Sequence, residues 1–231
     1  MDGGRRLLLN RDVNMPHTVS LPNLATSAPL WLALLTVGVN AVVGALRGYA
    51  DVDRHWDIVG LTTFALLMGL GGGFIRDVLL GNLPAESLRS PWYLVTVLAG
   101  VVIVRLVGER LVHIEPAMTF LTSLALGLFA VTGTAYGLAF DLPSVAAILV
   151  GTLSAVGGGA LVSVLQGQTP SILLAGAPNA LLAVWGSVTY AIVAAWSAPA
   201  ASLAGITVVV VAHYVASWRG LNTRPARSAA R

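Results

Sequence analysis

Cysteine and lysine are both absent from the 231 residues of this chain. Without cysteine there is no disulfide framework, no thiol chemistry and no thiolate metal site. Without lysine, every permanently charged basic side chain is an arginine. Charge of either sign is scarce, at 10% of residues, where soluble domains carry about a quarter. His17, His55, His113 and His213 stand apart along the chain. They form no metal-ligand spacing and no catalytic dyad, so neither a metal, a cofactor nor an enzyme activity is expected. The pI near 9.8 does not point to nucleic acid. The arginines are scattered or terminal and are not interleaved with aromatics as on a nucleic-acid-binding face.

Apolar residues make up 56% of the chain, and the mean hydropathy is +0.82. That composition belongs to an integral membrane protein. Apolar runs predict seven membrane-spanning helices at about 28–50, 57–80, 92–108, 117–140, 144–167, 178–197 and 200–218, each near the length that crosses roughly 30 Å of hydrocarbon. Short polar or Pro/Gly-containing links separate them and leave no room for a soluble domain. Residues 1–27 read as a polar tail, with Met15 an alternative start to Met1, and residues 219–231 as a basic tail.

Seven spans put the termini on opposite sides. Arg54, Arg105, Arg110, Arg219, Arg224, Arg227 and Arg231 fall on one side, with Arg47 near a helix end there. The positive-inside rule makes that side cytoplasmic, so the C-terminus is expected inside and the N-terminus outside. A bacterial inner (plasma) membrane is the expected location.

The chain also repeats itself. "GGGFIRDVLLGNLP" at 71–84 matches "GGGALVSVLQGQTP" at 157–170, with seven of fourteen positions identical. Upstream, "AVVGALRGYA" at 41–50 aligns with "AVTGTAYGLA" at 130–139. Spans 1 to 3 (28–116) therefore correspond to spans 4 to 6 (117–198), leaving 199–218 as a seventh helix. Three crossings per copy is an odd number, so the second copy enters the membrane from the opposite side. Such inverted repeats place ion or substrate pathways at their interface, beside interrupted helices.

The glycine triplets Gly71, Gly72, Gly73 and Gly157, Gly158, Gly159 are the expected interruptions, one per repeat. Glycine permits a kink or partial unwinding, and it lets another backbone approach closely. From this reading, Gly72→Leu should impair transport more than assembly. A nucleotide-binding reading of "GLGGGF" fails on glycine spacing and on the missing strand.

Arg76 and Asp77 follow the first triplet. Charges inside a membrane face protein or water and mark pathways. Helix neighbours do not face each other, so each is expected to have partners elsewhere. The second copy carries Val162 and Ser163 instead, which makes the charges a one-sided feature. Asn40, Thr62, Thr134, Thr152, Ser154 and Ser163 are candidate polar residues of the path, although hydroxyls in such helices often bond their own backbone.

Two triple-helix repeats, "GGGFIRDVLLG" in the first, "GGG" at the matching place in the second and a seventh helix resemble the TRIC family of trimeric intracellular cation channels. The resemblance is to its bacterial branch, with a GGG-x-x-R-D signature, and covers about residues 28–218. It implies a homotrimer in membrane lipid, with one pore per subunit between the repeats, past the triplets. Monovalent cations, chiefly potassium, would permeate. The missing Arg-Asp pair in the second copy is a departure from the bacterial pattern, and the absence of lysine rules out transferring the phosphoinositide regulation of animal members. Some bacterial relatives are described as glycine carriers, so a secondary transporter of a small solute such as glycine stands as the alternative.

Overall fold

A computed structural model describes residues 29–51, 53–174 and 178–221. The expected tail 1–27 and most of the tail 219–231 lie outside the described residues. Those described form eight α-helices and no strand. They are α1 (Leu30–Ala50), α2 (Ile58–Leu79), α3 (Glu86–Arg89), α4 (Pro91–Val112), α5 (Glu115–Ala139), α6 (Ser144–Leu165), α7 (Asn179–Val193) and α8 (Ala198–Trp218), with a 3₁₀ turn at Ser171–Leu173.

Six of these helices are long and apolar enough to cross a membrane. The sixth expected span, 178–197, is shorter than anticipated. α7 has 15 residues, about 22 Å at the α-helical rise. The preceding link takes up a 3₁₀ turn, and the chain leaves helical geometry before Trp196. The link 80–91 also holds the four-residue α3, which the polar sequence "PAES" concealed.

Local chemistry sets the helix ends. The Asp57 carboxylate accepts the Gly60 N–H at 2.8 Å and caps α2. Pro91 sits at the start of α4, where its missing N–H costs nothing. The repeated glycine after each triplet helix closes it in the same way. Gly81 (φ 67°) and Gly167 (φ 66°) are left-handed. Behind them Asn82 N–H reaches Asp77 O at 2.8 Å, and Gln168 N–H reaches Ser163 O at 2.9 Å. These are matching Schellman closures, and they explain why that glycine recurs in both copies.

The helices pack as two bundles of three, α1–α2–α4 and α5–α6–α7, joined chiefly where α2 lies against α6. α8 packs on α5 and α7, and its Tyr214 hydroxyl donates to Pro116 O at 2.8 Å. The first bundle has its own core of small and branched side chains, including Ala41, Ala45, Ala65, Val97 and Val104. The second has another around Ala130, Ala183 and Val209. Val43, Phe64, Met68, Ala125 and Val162 form a cluster spanning the two. Small residues dominate because lipid offers no hydrophobic drive between helices, so close backbone approach does the packing.

Candidate ion pathway between the two repeats

Both triplets sit in unbroken α-helix. The expected interruption is not present as unwound backbone. Each triplet instead divides its labour by helix face. Gly72 meets the other repeat head on: a β-carbon there would overlap the carbonyl oxygen of Ser154. A β-carbon on Gly71 would come 2.9 Å from Leu161 Cδ1, and one on Gly158 would come 2.8 Å from Met68 O. One on Gly157 would overlap Ile75. The Ser154 hydroxyl adds a hydrogen bond across the crossing to Gly72 O at 3.0 Å. Gly72 and Gly158 therefore let α2 and α6 touch backbone to backbone, while Gly71 and Gly157 make room for the Leu161 and Ile75 side chains.

The third glycines point elsewhere. Nothing lies within 4 Å of a β-carbon on Gly73. It faces a small cavity of about 20 Å³, lined also by Thr36, Arg76, Glu86, Tyr93 and Thr132. Gly159 faces a second small cavity, of about 30 Å³, lined also by Asn40, Arg47, Thr122, Ser171 and Asn179. The two cavities are related by the repeat. Gly73 and Tyr93 correspond to Gly159 and Asn179 at the triplet offset. Ala33, Thr36 and Val37 of the first correspond to Thr122, Ala125 and Leu126 of the second at the α1–α5 offset. Buried polar atoms without a partner among the described residues stand at both cavities: Ser87 Oγ and Tyr93 Oη at the first, Asn179 Oδ1 at the second. Unpartnered polar groups at membrane depth are tolerated where water or a passing solute satisfies them.

Arg76 and Asp77 are 7% and 1% exposed. They do bond each other, contrary to expectation: Arg76 Nε donates to Asp77 Oδ1 at 2.8 Å. The arginine stem is long enough to fold back to the adjacent residue, a route the rule for helix neighbours does not consider. Each has a second partner as well. Asp77 Oδ2 accepts the Glu86 N–H at 2.8 Å, and Arg76 Nη2 reaches Glu86 Oε2 at 3.2 Å. The Tyr136 hydroxyl donates to the same Glu86 oxygen, and its ring lies 3.7 Å under the Arg76 guanidinium, a cation–π arrangement. Tyr136→Phe keeps the ring and loses only the hydrogen bond to a carboxylate. It is expected to cost about 1.5–3 kcal/mol, read as a lower melting temperature of the purified protein.

Among the polar candidates, Asn40 reaches a cavity. Its Nδ2 donates to Thr36 O at 2.8 Å and, across the repeats, to Ala125 O at 3.2 Å. Ser154 braces the crossing. Thr62, Thr134, Thr152 and Ser163 line neither cavity. They donate back to Ile58, Ala130, Ile148 and Gly159 carbonyls of their own helices. A threonine or serine in a helix always has that carbonyl within reach, so its presence says little about a path.

The charges are less one-sided than the aligned triplets indicate. Arg47 corresponds to Tyr136 in the upstream alignment, and Arg76 corresponds to Val162. Each cavity thus holds one arginine, supplied by α2 at one end and by α1 at the other. Sequence reasoning missed Glu86 and Tyr136 altogether and treated Arg47 only as a topology marker. The alignment did carry the Arg47–Tyr136 correspondence. The one signal for Glu86 was its being a lone carboxylate in a short link.

A family model described as "Glycine transporter" matches twice, over residues 30–109 and 119–195, which are the two repeats. A solved TRIC trimeric intracellular cation channel orthologue from Rhodobacter sphaeroides is 27% identical, with a TM-score of 0.74, covering 83% of this chain and 98% of that one. This chain belongs to the TRIC family. A second solved TRIC cation channel, 22% identical with a TM-score of 0.74, covers 85% of this chain and 98% of its own, and shares the TRIC fold. A UPF0126 membrane protein of Deinococcus radiodurans is 36% identical over 131 residues, which are 57% of this chain and 60% of that relative. The alignment thus spans about three fifths of that relative's length.

Proposed function

We propose that this TRIC member is a homotrimeric channel for monovalent cations, chiefly potassium, with one path through each subunit. The path runs between the repeats, from an outer cavity at Gly73 to an inner cavity at Gly159, past the α2–α6 crossing. The observation that carries this reading is the pair of repeat-related cavities on either side of the glycine crossing. A path built from inverted repeats has this form, with its narrowest part where the repeats meet. One feature supports a cation as the passenger: the two carboxylates, Asp77 and Glu86, against one arginine at the outer end. The arginine distribution supports an inner-membrane orientation with the C-terminus cytoplasmic.

Purified protein in planar bilayers is expected to give unitary potassium currents, and cross-linking is expected to stop at three subunits. Silent bilayers containing folded protein, together with saturable glycine uptake into proteoliposomes, would select the carrier instead.

A further inference from the structure

Arg47 and Arg76 stand at opposite ends of the crossing, in cavities related by the repeat, yet their surroundings differ in charge. Arg76 has Asp77 at 2.8 Å and Glu86 at 3.2 Å. The residues at the corresponding places of the second repeat, Ser163 and Ile172, carry no charge. Arg47 faces Asn40, Met68, Thr122, Gly159 and Asn179, all neutral. A β-carbon on Gly159 would come 3.6 Å from Arg47 Nη1, so the guanidinium lies over the third glycine, at the cavity wall. Among the described residues no carboxylate forms an ion pair with it. One cavity therefore holds a net negative charge and the other a net positive one.

We propose that this asymmetry makes the path rectify, and that Arg47 sets the degree. Cations enter more readily through the Glu86 cavity than through the Arg47 cavity. The proposal rests on the cation-channel reading. A unit charge about 4 Å from a cation in water changes the local cation concentration roughly five-fold, so a current ratio of up to about five is the expected scale. Arg47 is a rate-setting residue here, acting through its charge at the cavity wall.

Excised membrane patches test this, because every channel in them keeps one orientation. In symmetrical KCl the wild-type protein is expected to pass unequal currents at equal and opposite voltages. The inequality should be clear at about 0.1 M salt and shrink at about 1 M, where the screening length falls from roughly 10 Å to 3 Å. Arg47→Gln is expected to bring the ratio close to one by raising the smaller current, and Arg47→Lys to preserve the ratio. Equal wild-type currents in low salt would overturn the proposal. So would an unchanged ratio in Arg47→Gln, or a wild-type ratio indifferent to salt, a measurement that stands even if the glutamine variant fails to fold. Silent wild-type patches with folded protein present would sink the channel reading itself, and this proposal with it.

Discussion

Gly72→Ala is expected to destabilise the folded subunit by about 3 kcal/mol, whereas Gly73→Leu leaves it folded and stops the current. The two glycines are adjacent, yet they face different things. A methyl group on Gly72 overlaps the Ser154 carbonyl, a backbone atom that cannot rotate away. Relief requires α2 and α6 to separate, which also breaks the Ser154 to Gly72 hydrogen bond and the glycine contacts on either side. The cost lies at the upper end of that for overpacking a tight interior. Gly73 has open space where its side chain would be. The β-carbon of leucine meets nothing there and the change gains about 1 kcal/mol of helix propensity, while the rest of the side chain projects into the cavity beside Arg76. Melting curves in detergent and currents in bilayers, measured on both variants, separate the effects. A normal melting temperature for Gly72→Ala would remove the crossing from this account. Wild-type currents through Gly73→Leu would remove the cavity from the path. Gly72→Leu, the natural probe when only the sequence is read, tests folding instead of conduction.

The second large effect is expected from Asp77→Ala, at about 3–5 kcal/mol, the range for removing one partner of a buried ion pair. Asp77 occupies a junction. One carboxylate oxygen holds the Arg76 guanidinium, and the other holds the backbone of Glu86. Its main-chain carbonyl closes α2 by accepting from Asn82. Alanine keeps the last of these and loses the first two. Arg76 then keeps Glu86 and the Tyr136 ring, and α3 is held to α2 only through the Arg76–Glu86 pair. Asp77→Asn retains an acceptor for the Glu86 N–H and is expected to fall between wild type and alanine. Equal melting temperatures for the alanine variant and the wild type would mean that Glu86 and Tyr136 alone satisfy the arginine.

How much of this was legible beforehand differs by feature. The number and order of the apolar helices were, because a membrane requires long apolar runs and short links, and both stand in the linear sequence. The duplication was legible in the recurrence of "GGG", Gly81 with Gly167, and Pro84 with Pro170. The role of each glycine was not. Three consecutive residues on a helix point about 100° apart, so which one meets a helix and which meets a cavity depends on where the partner helix lies. The Arg76–Asp77 bond was missed because the rule for helix neighbours concerns the direction in which side chains leave the backbone, not how far an arginine can fold back. Thr62, Thr134, Thr152 and Ser163 each bond a carbonyl of their own helix, a partner that any hydroxyl in a helix has within reach.

The sequence by itself determined that the chain lies in a membrane, that it carries two copies of one helical unit in opposite orientations, and that each copy has a glycine triplet in its second helix. Composition and internal repetition are properties of the chain, and they survive whatever shape it takes. Only the tertiary structure decided what the triplets touch, that Glu86 and Tyr136 complete the Arg76–Asp77 cluster, and that Arg47 takes the corresponding place at the other end with no carboxylate paired to it among the described residues. Those facts join residues from different helices. Contacts between helices are set by how the bundles dock, through the backbone approach that Gly72 and Gly158 permit, and no local pattern along the chain encodes that docking.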